Sequence, residues 1–306
     1  MTAGYKLIAI IGATASGKSA LAMGIARAIG GEILSLDSMQ VYRGMDIGTA
    51  KPSAAEQAEV RHHLIDVADA SEGFSVAQFQ ERADAVIDDA KQGGVPLIAV
   101  GGTPLYYKAL FEGLFEGPSA DAAIRKRLMA EPNETLHARL KQIDPAAAER
   151  IHQNDQRRLV RALEVYEITG QPITSLQSEW SSGAMRHEAT WFGLAWDKDA
   201  LNRRINARVK QMIADGWVEE TRRLLDRPTP LSMTAAEATG YAELIAHLRG
   251  KMSLDDAVEQ IKIATRQLAR RQMKWFKRFT NVNWLPGDAG EGNVDRALEI
   301  LRGNAL

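Results

Sequence analysis

Gly12-Ala13-Thr14-Ala15-Ser16-Gly17-Lys18-Ser19 fits the pattern G-x-x-x-x-G-K-[ST], a glycine-rich turn whose backbone N–H groups cradle phosphate. Its flanks decide how it is read. Lys6-Leu7-Ile8-Ala9-Ile10-Ile11 is a short apolar run and predicts a buried strand, and Ala20 to Ala28 predicts the helix that follows. A strand, a tight turn and a helix N-terminus aim several N–H groups at one anion. Lys18 adds a positive charge, and the Ser19 hydroxyl can reach a magnesium ion held by the phosphates. A purely structural glycine turn is the alternative. The loop names a diphosphate or a longer phosphate chain, without saying whose.

Working outward, the chain has 306 residues, 45% of them hydrophobic and 25% charged, with a net charge of −1 and no Cys. That length can bury a full core in one large domain or two. The charge balance excludes a basic nucleic-acid coat but leaves room for local basic patches. Without Cys there is no disulfide, thiolate metal site or thiol nucleophile. No signal-peptide pattern and no 18-residue apolar run is present, so a soluble cytoplasmic enzyme is expected.

Two more strands are predicted at Glu32–Leu36 and Val95–Val100. In an open α/β sheet the carboxyl ends of the strands line the ligand crevice. Asp37 follows the first and Gly101-Gly102-Thr103 the second. If strands one and two are neighbours, Asp37 lands beside the phosphate loop. There it can hold magnesium through water, act as a general base, or cap a turn. Thr103 can bond a phosphate oxygen or cap the next helix. Adjacent His62 and His63 make a poor chelate, so a structural or substrate-positioning role is favoured over metal. The expected fold is α/β, a P-loop NTPase-like core with a parallel sheet flanked by helices.

From about Gly113 strand–helix alternation stops and helical patterns run for about 70 residues. We expect a helical insertion at 116–189 within a core of 1–115 and 190–306. On its helix Asp155–Ile168, Arg157, Arg158 and Arg161 present either a solvated face or an RNA-phosphate contact. A returning strand at Ala189–Trp196 precedes a helix at Asp197–Asp215 that carries Arg204 and Arg208. The last helix, Ile261–Arg278, holds seven Lys or Arg and no acid. At 100° per residue, Arg266, Arg270, Lys274 and Lys277 fall within about 80°, a cationic ridge suited to a polyanion backbone. Three classes fit these parts: a small-molecule kinase, a nucleic-acid-binding ATPase, or a transferase whose pyrophosphate substrate is not a nucleotide. No strand ends on an Asp-Glu able to hold magnesium and polarise water, which weakens the motor ATPase. A P-loop small-molecule or nucleotide kinase stays open as the alternative.

The phosphate loop, Ser35–Pro52 with its Asp46-Ile47-Gly48-Thr49-Ala50-Lys51-Pro52, His62–Asp66, Gly101–Tyr106, Asp155–Gly170, Gly240-Tyr241 and Thr265–Gln272 together resemble the bacterial tRNA dimethylallyltransferases (tRNA isopentenyltransferases). The match runs in order from residue 5 to about 285. It implies transfer of a dimethylallyl group from dimethylallyl diphosphate to N6 of the adenosine 3′ of the anticodon. By that resemblance, the loop Gly12, Ala13, Thr14, Ala15, Ser16, Gly17, Lys18 and Ser19 holds the donor diphosphate, with Ser19 near Mg2+. Lys18 and Arg208 stabilise the leaving pyrophosphate. Asp37 bonds the N6 amine and serves as general base, and Thr103 contacts substrate. Ser38, Met39 and Gln40 lie at the flipped base. Arg157, Arg158, Leu159, Val160 and Arg161, with Arg266, Arg270, Lys274 and Lys277, hold the anticodon stem-loop. No obligatory protein partner and no membrane is implied. Met39 stands where the family often has Arg, Ala13 where Pro is common, Gln153 where Pro often follows Ile-His, and Thr239 where Ile or Val often precedes Gly-Tyr.

Overall fold

A computed structural model describes residues 5–113, 117–179 and 185–303. In chain order its elements are β1 (Leu7–Ile11), α1 (Lys18–Ile29), β2 (Glu32–Ser35), α2 (Ala54–Glu59), β3 (His62–His63), α3 (Val76–Gly93), β4 (Leu97–Val100) and α4 (Pro104–Tyr107). A single π-helical turn at Lys108–Glu112 follows. Next come α5 (Ala122–Met129), α6 (Asn133–Ile143), α7 (Pro145–Arg150), α8 (Gln156–Thr169) and α9 (Ile173–Glu179). The chain closes with β5 (Thr190–Ala195), α10 (Lys198–Ala214), α11 (Trp217–Leu225), α12 (Met233–Ala236), α13 (Tyr241–Leu248), α14 (Leu254–Phe276), β6 (Val282–Pro286) and α15 (Gly292–Gly303).

The six strands form one parallel sheet in the order β3-β2-β4-β1-β5-β6. Alternate residues of each strand feed opposite faces. Leu7, Ala9 and Ile11 pack with Phe79, Ala83 and Ile87 of α3. Ile8 and Ile10 pack with Leu21, Ala22 and Ile25 of α1 and with Ala297 and Leu301 of α15. Both faces are covered, so every residue of β1 is buried and the strand reads as continuously apolar. Each such Ile or Leu contributes roughly 1.5–3 kcal/mol through burial.

The strand order corrects one expectation. β1 and β2 are not neighbours, because β4 lies between them, with Leu7 opposite Leu97 and Glu32 also opposite Leu97. Asp37 therefore reaches the phosphate loop across the Gly101–Thr103 turn. Gly101 permits this closeness: a Cβ there would lie 2.0 Å from the Leu36 carbonyl oxygen.

Three element readings also change. The last helix begins at Leu254, where Ser253 caps it by accepting from the Asp256 N–H. Its first turns thus hold Asp255, Asp256 and Glu259, acids absent from the later stretch. The pattern at Ala236–Leu248 is broken between α12 and α13, since Gly240 takes φ 92°. β6 and α15 extend the sheet and cover its α1 face, and neither was expected.

The chain divides into two compact units, Met1–Phe111 with Arg186–Leu306, and Glu112–Met185. The expected break at 115–116 falls outside the described residues. Unit two has its own core, in which Leu128, Leu136, Leu140, Leu159, Leu163 and Val165 meet. At its centre Glu164 is wholly buried. Its carboxylate accepts from Arg125 at 2.9 and 3.1 Å, from Arg161 at 2.7 Å and from the Asp121 N–H at 2.8 Å. Burial pushes its pKa up, but bonds from Arg161 and Arg125 outweigh that and hold it below the ordinary value. Among the described residues no helix is long and apolar enough to cross a membrane.

Candidate active site at the carboxyl edge of the sheet

β1 ends at Ile11, and the turn that follows is held from inside and outside. Ala15 takes φ 62° and Gly17 φ 96°, the left-handed backbone that curls the loop before α1 starts at Lys18. Ala13 and Ala15 face inward against Ile205 of α10 and Ala269 of α14. The Ala13 carbonyl accepts from the Ser16 N–H at 3.2 Å and from Lys18 Nζ at 3.2 Å. On the outer rim Trp196 Nε1 donates to the Ser16 carbonyl at 2.9 Å, and Arg204 Nε to the Ala15 carbonyl at 2.9 Å. The Arg204 guanidinium lies 4.5 Å over the Trp196 ring. Ala15, Ser16, Gly17, Lys18 and Ser19 then line one wall of an open cavity, and Ala50, Arg204, Ala207 and Arg208 the other. Gly12, Ala13 and Thr14, expected to hold the diphosphate, sit behind that wall. The Thr14 N–H is turned away, donating to Gln272 Oε1 at 2.8 Å.

This cavity concentrates positive charge. Burial pulls the Lys18 amine down to about 8, with the Arg208 charge acting the same way and Asp37 opposing. Burial also lowers Arg208; there Asp37 raises it and Arg204 lowers it again. The first turn of α1 carries no acid, so its N–H groups add to the field. A bound polyanion relieves the repulsion between these cations and gains the helix N-terminus.

Across the Gly101–Thr103 turn, Asp37 Oδ1 accepts from the Met39 N–H at 2.9 Å. The carboxylate is thereby oriented, and Oδ2 has no hydrogen-bond partner among the described residues. The turn-capping role and a chemical role are thus compatible, one oxygen for each. Thr103 does not cap α4. Its Oγ1 accepts from the Ser38 N–H at 2.9 Å and lies 3.1 Å from Ser38 Oγ. Behind the turn, Tyr107 OH donates to the Ile10 carbonyl at 2.5 Å and accepts from the Gly101 N–H at 2.8 Å. This buried phenol, its pKa pushed up by desolvation, ties the ends of β1 and β4 together.

Two residues expected at the base are committed within the protein. The Gln40 carboxamide donates to the Thr49 and Ala50 carbonyls, each at 3.2 Å, and accepts from Ser35 Oγ at 2.9 Å. Met39 packs against the cluster of Val41, Tyr42, Trp217 and Tyr241. A thioether suits that half-buried apolar setting.

The expected RNA surfaces divide as well. In unit two, the Leu159 and Val160 side chains are buried in the core. Arg161 is drawn inward to Glu164 and to the Pro118 carbonyl at 2.9 Å. Arg158 pairs with Asp155 at 3.3 Å on the exposed side, and Arg157 is exposed. In unit one, Arg270 and Lys274 of α14 and Lys277 at its C-terminal cap are exposed, with no ion pair among the described residues. Arg266 departs from that ridge and donates to Asn206 Oδ1 of α10 at 2.7 Å.

Two functional side chains escaped the sequence. Glu220 of α11, 2% exposed, accepts from the N–H groups of Asp46, Ile47 and Gly48 at 2.9, 2.7 and 3.1 Å and from Tyr241 OH at 2.6 Å. This anion shapes the loop that brings Ala50 to the cavity. A Cβ on Gly48 would lie 2.1 Å from Trp217 Nε1, so the loop lies directly on that ring. Lys51 pins the same loop through the Tyr42 carbonyl at 2.9 Å and Asp66 at 2.6 Å. Gln272 of α14 is the second. His62 and His63 bond to the Val60 carbonyl and to Glu32, a structural use. No cluster of three His, Cys, Asp or Glu fit for a metal occurs among the described residues.

The family model described as IPP transferase matches residues 40–279. The chain belongs to the IPP transferase family. It is 46% identical over 302 residues to a tRNA dimethylallyltransferase of Geobacter metallireducens, covering 97% of both chains. It is 45% identical over 280 residues to tRNA dimethylallyltransferase 1 of Citrifermentans bemidjiense, covering 92% of each. The tRNA isopentenylpyrophosphate transferase of Bacillus halodurans superposes with a TM-score of 0.73 at 38% identity, over 97% of this chain and 96% of that one. A eukaryotic dimethylallyltransferase acting on tRNA gives a TM-score of 0.80 at 26% identity, over 97% of this chain and 79% of that one. The IPP transferase fold thus accounts for the six-stranded parallel sheet and for the helices that flank it.

Proposed function

We propose that this IPP transferase moves the dimethylallyl group of dimethylallyl diphosphate to N6 of the adenosine 3′-adjacent to the anticodon of tRNA, releasing diphosphate. The observation that carries this reading is the pairing of a doubly cationic phosphate cavity with one oriented carboxylate, Asp37, across a single turn. The names of the relatives support it.

The diphosphate lies against Lys18, Arg208 and the N-terminus of α1. As the allylic C–O bond breaks, both bridging electrons leave with the diphosphate, whose growing charge meets cations already in place. The N6 lone pair forms the new C–N bond, and Asp37 Oδ2 takes the proton that N6 sheds. Alignment supplies much of the remaining acceleration. A base in a single-stranded loop unstacks for only a few kcal/mol.

Magnesium suits this donor set. It keeps several waters and needs only one or two protein oxygens besides phosphate. Ser19, exposed at the cavity wall, would supply an oxygen of that kind beside the diphosphate, and no three-residue cluster is required. When bound, the ion would neutralise part of the diphosphate charge. The cytoplasm, where tRNA and a reducing environment coincide, is the proposed location.

Radiolabelled dimethylallyl diphosphate and unmodified tRNA test the reading. Label appears in tRNA at the adenosine beside the anticodon. ADP formation from ATP with phosphoryl transfer to a small-molecule acceptor, and no label transfer, supports a kinase and overturns the proposal.

A further inference from the structure

Gln272 lies on the buried face of α14, 4% exposed, in register with Ile261, Ala269 and Phe276. A carboxamide at such a position is costly unless bonded on both sides. Here it is. Its Oε1 accepts from the Thr14 N–H at 2.8 Å, and its Nε2 donates to the Gly102 carbonyl at 2.7 Å. These are the two walls of the site: the phosphate loop after β1 and the glycine turn after β4. The second wall also carries Asp37, since a Cβ built on Gly102 would lie 2.8 Å from Gln272 Nε2 and 3.3 Å from Asp37 Oδ2. Gly102 does not have a positive φ, so only this crowding calls for glycine there.

We infer that Gln272 is a positioning residue that sets the separation between the diphosphate cradle and the Asp37 carboxylate, by bonding Thr14 and Gly102 at once. The inference rests on the transferase reading above. Each wall can still bind its own substrate without the tie; what the tie provides is their mutual alignment. The same helix presents Arg270 and Lys274 on its outer face, two positions either side of Gln272. RNA held by that ridge therefore bears on the helix that joins the two walls.

Gln272→Met keeps length and volume but breaks both bonds. Gln272→Glu keeps the acceptor for Thr14 but sets an oxygen against the Gly102 carbonyl. Gly102→Ala pushes the carboxamide aside without touching position 272. Each protein is assayed for kcat, for the KM of tRNA and of dimethylallyl diphosphate, for inorganic diphosphate affinity, for Tm, and for amide exchange in the peptide containing Thr14. The expected result is a kcat loss on the order of 10- to 100-fold in all three variants, with both KM values within about threefold. Exchange at Thr14 quickens in Gln272→Met and stays slow in Gln272→Glu. A folding defect alone would lower the active fraction without this opposite behaviour at Thr14. Wild-type kcat in Gln272→Met and Gly102→Ala, or a rise in KM with kcat unchanged, overturns the inference. If the parent chain transfers no label, the transferase reading fails instead, and Thr14 exchange still decides whether the tie exists.

Discussion

Helices α8 and α14 both carry dense arginine and lysine, and the two use it differently. On α8, Arg161 turns inward to the buried Glu164, and Arg158 pairs one turn back with Asp155. On α14, the cations beyond residue 267 have no acid within reach along the helix, and Arg270, Lys274 and Lys277 stay exposed. The earlier cations of α14 behave like those of α8: Lys262 bonds Glu259 at 2.6 Å and Arg266 bonds Asn206. A count of positive charge therefore does not mark a polyanion surface. What sets the exposed stretch of α14 apart is positive charge with neither an acid three or four residues away nor, among the described residues, a side-chain partner on another helix.

The largest effect expected from this comparison is on stability. Glu164→Ala takes the common anion from Arg125 and Arg161, whose side chains are 42% and 30% exposed, and should cost about 2–3 kcal/mol in unit two, read by urea or thermal unfolding. Because its pKa is depressed in the folded protein, Glu164 stabilises above the ordinary carboxylate range and loses that effect as the pH falls through its folded pKa. An unchanged midpoint would show that the α8 cations are not structural. Next is the double reversal Arg270→Glu with Lys274→Glu. It should leave Tm unaltered, raise the KM for tRNA about tenfold or more, and flatten its salt dependence by about one unit of slope per lost contact. An unmoved salt slope would break the contrast between the helices.

Lys18 extends the same logic to the cavity, where Arg208 acts against its charge and Asp37 only partly offsets burial. Its amine titrates at about 8 in the free protein. It is charged below that pH and loses its charge as the pH rises through it. The kcat/KM for the donor should fall roughly fourfold from pH 7 to 8.5. The kcat should hold to higher pH, because bound diphosphate keeps the amine protonated. The smallest effect belongs to Arg158→Ala, whose exposed pair with Asp155 should contribute under about 0.5 kcal/mol. A measurable stability loss there would place Arg158 with Arg161.

What could be read from the sequence was local. The phosphate loop declared itself within eight residues, and a rule about strand ends brought Asp37 and Thr103 to the crevice. The strand at Val95–Val100 was expected, but its place between β1 and β2 was not, because strand order is set by long-range packing rather than by local pattern. Gln272 and Glu220 were missed for a different reason. Their bonds span 258 and 172–174 residues, and no local pattern announces such a partner. A signal was present all the same. Gln272 stands between Ala269 and Phe276 on an apolar stripe, and Glu220 between Trp217 and Leu224. A polar residue at a core position demands a buried partner. Met39, Gln40, Leu159 and Val160 show another limit, since a matching motif does not say which way a side chain points: Met39 packs and Gln40 bonds within the protein, and Leu159 and Val160 are buried. The Asp46–Lys51 loop was legible only as a resemblance; its physical reason is the buried Glu220 anion beneath it.

In the proposed reaction Asp37 accepts the proton beside a cradle that holds the leaving group. Asp37→Asn keeps an oxygen for the Met39 N–H, and so keeps the turn, but cannot take the N6 proton. Single-turnover transfer to tRNA, measured beside inorganic diphosphate binding, tests this directly. Transfer should slow by about 10²- to 10⁴-fold while diphosphate affinity is retained. Transfer at the wild-type rate, or loss of diphosphate binding with the rate preserved at saturation, would contradict it.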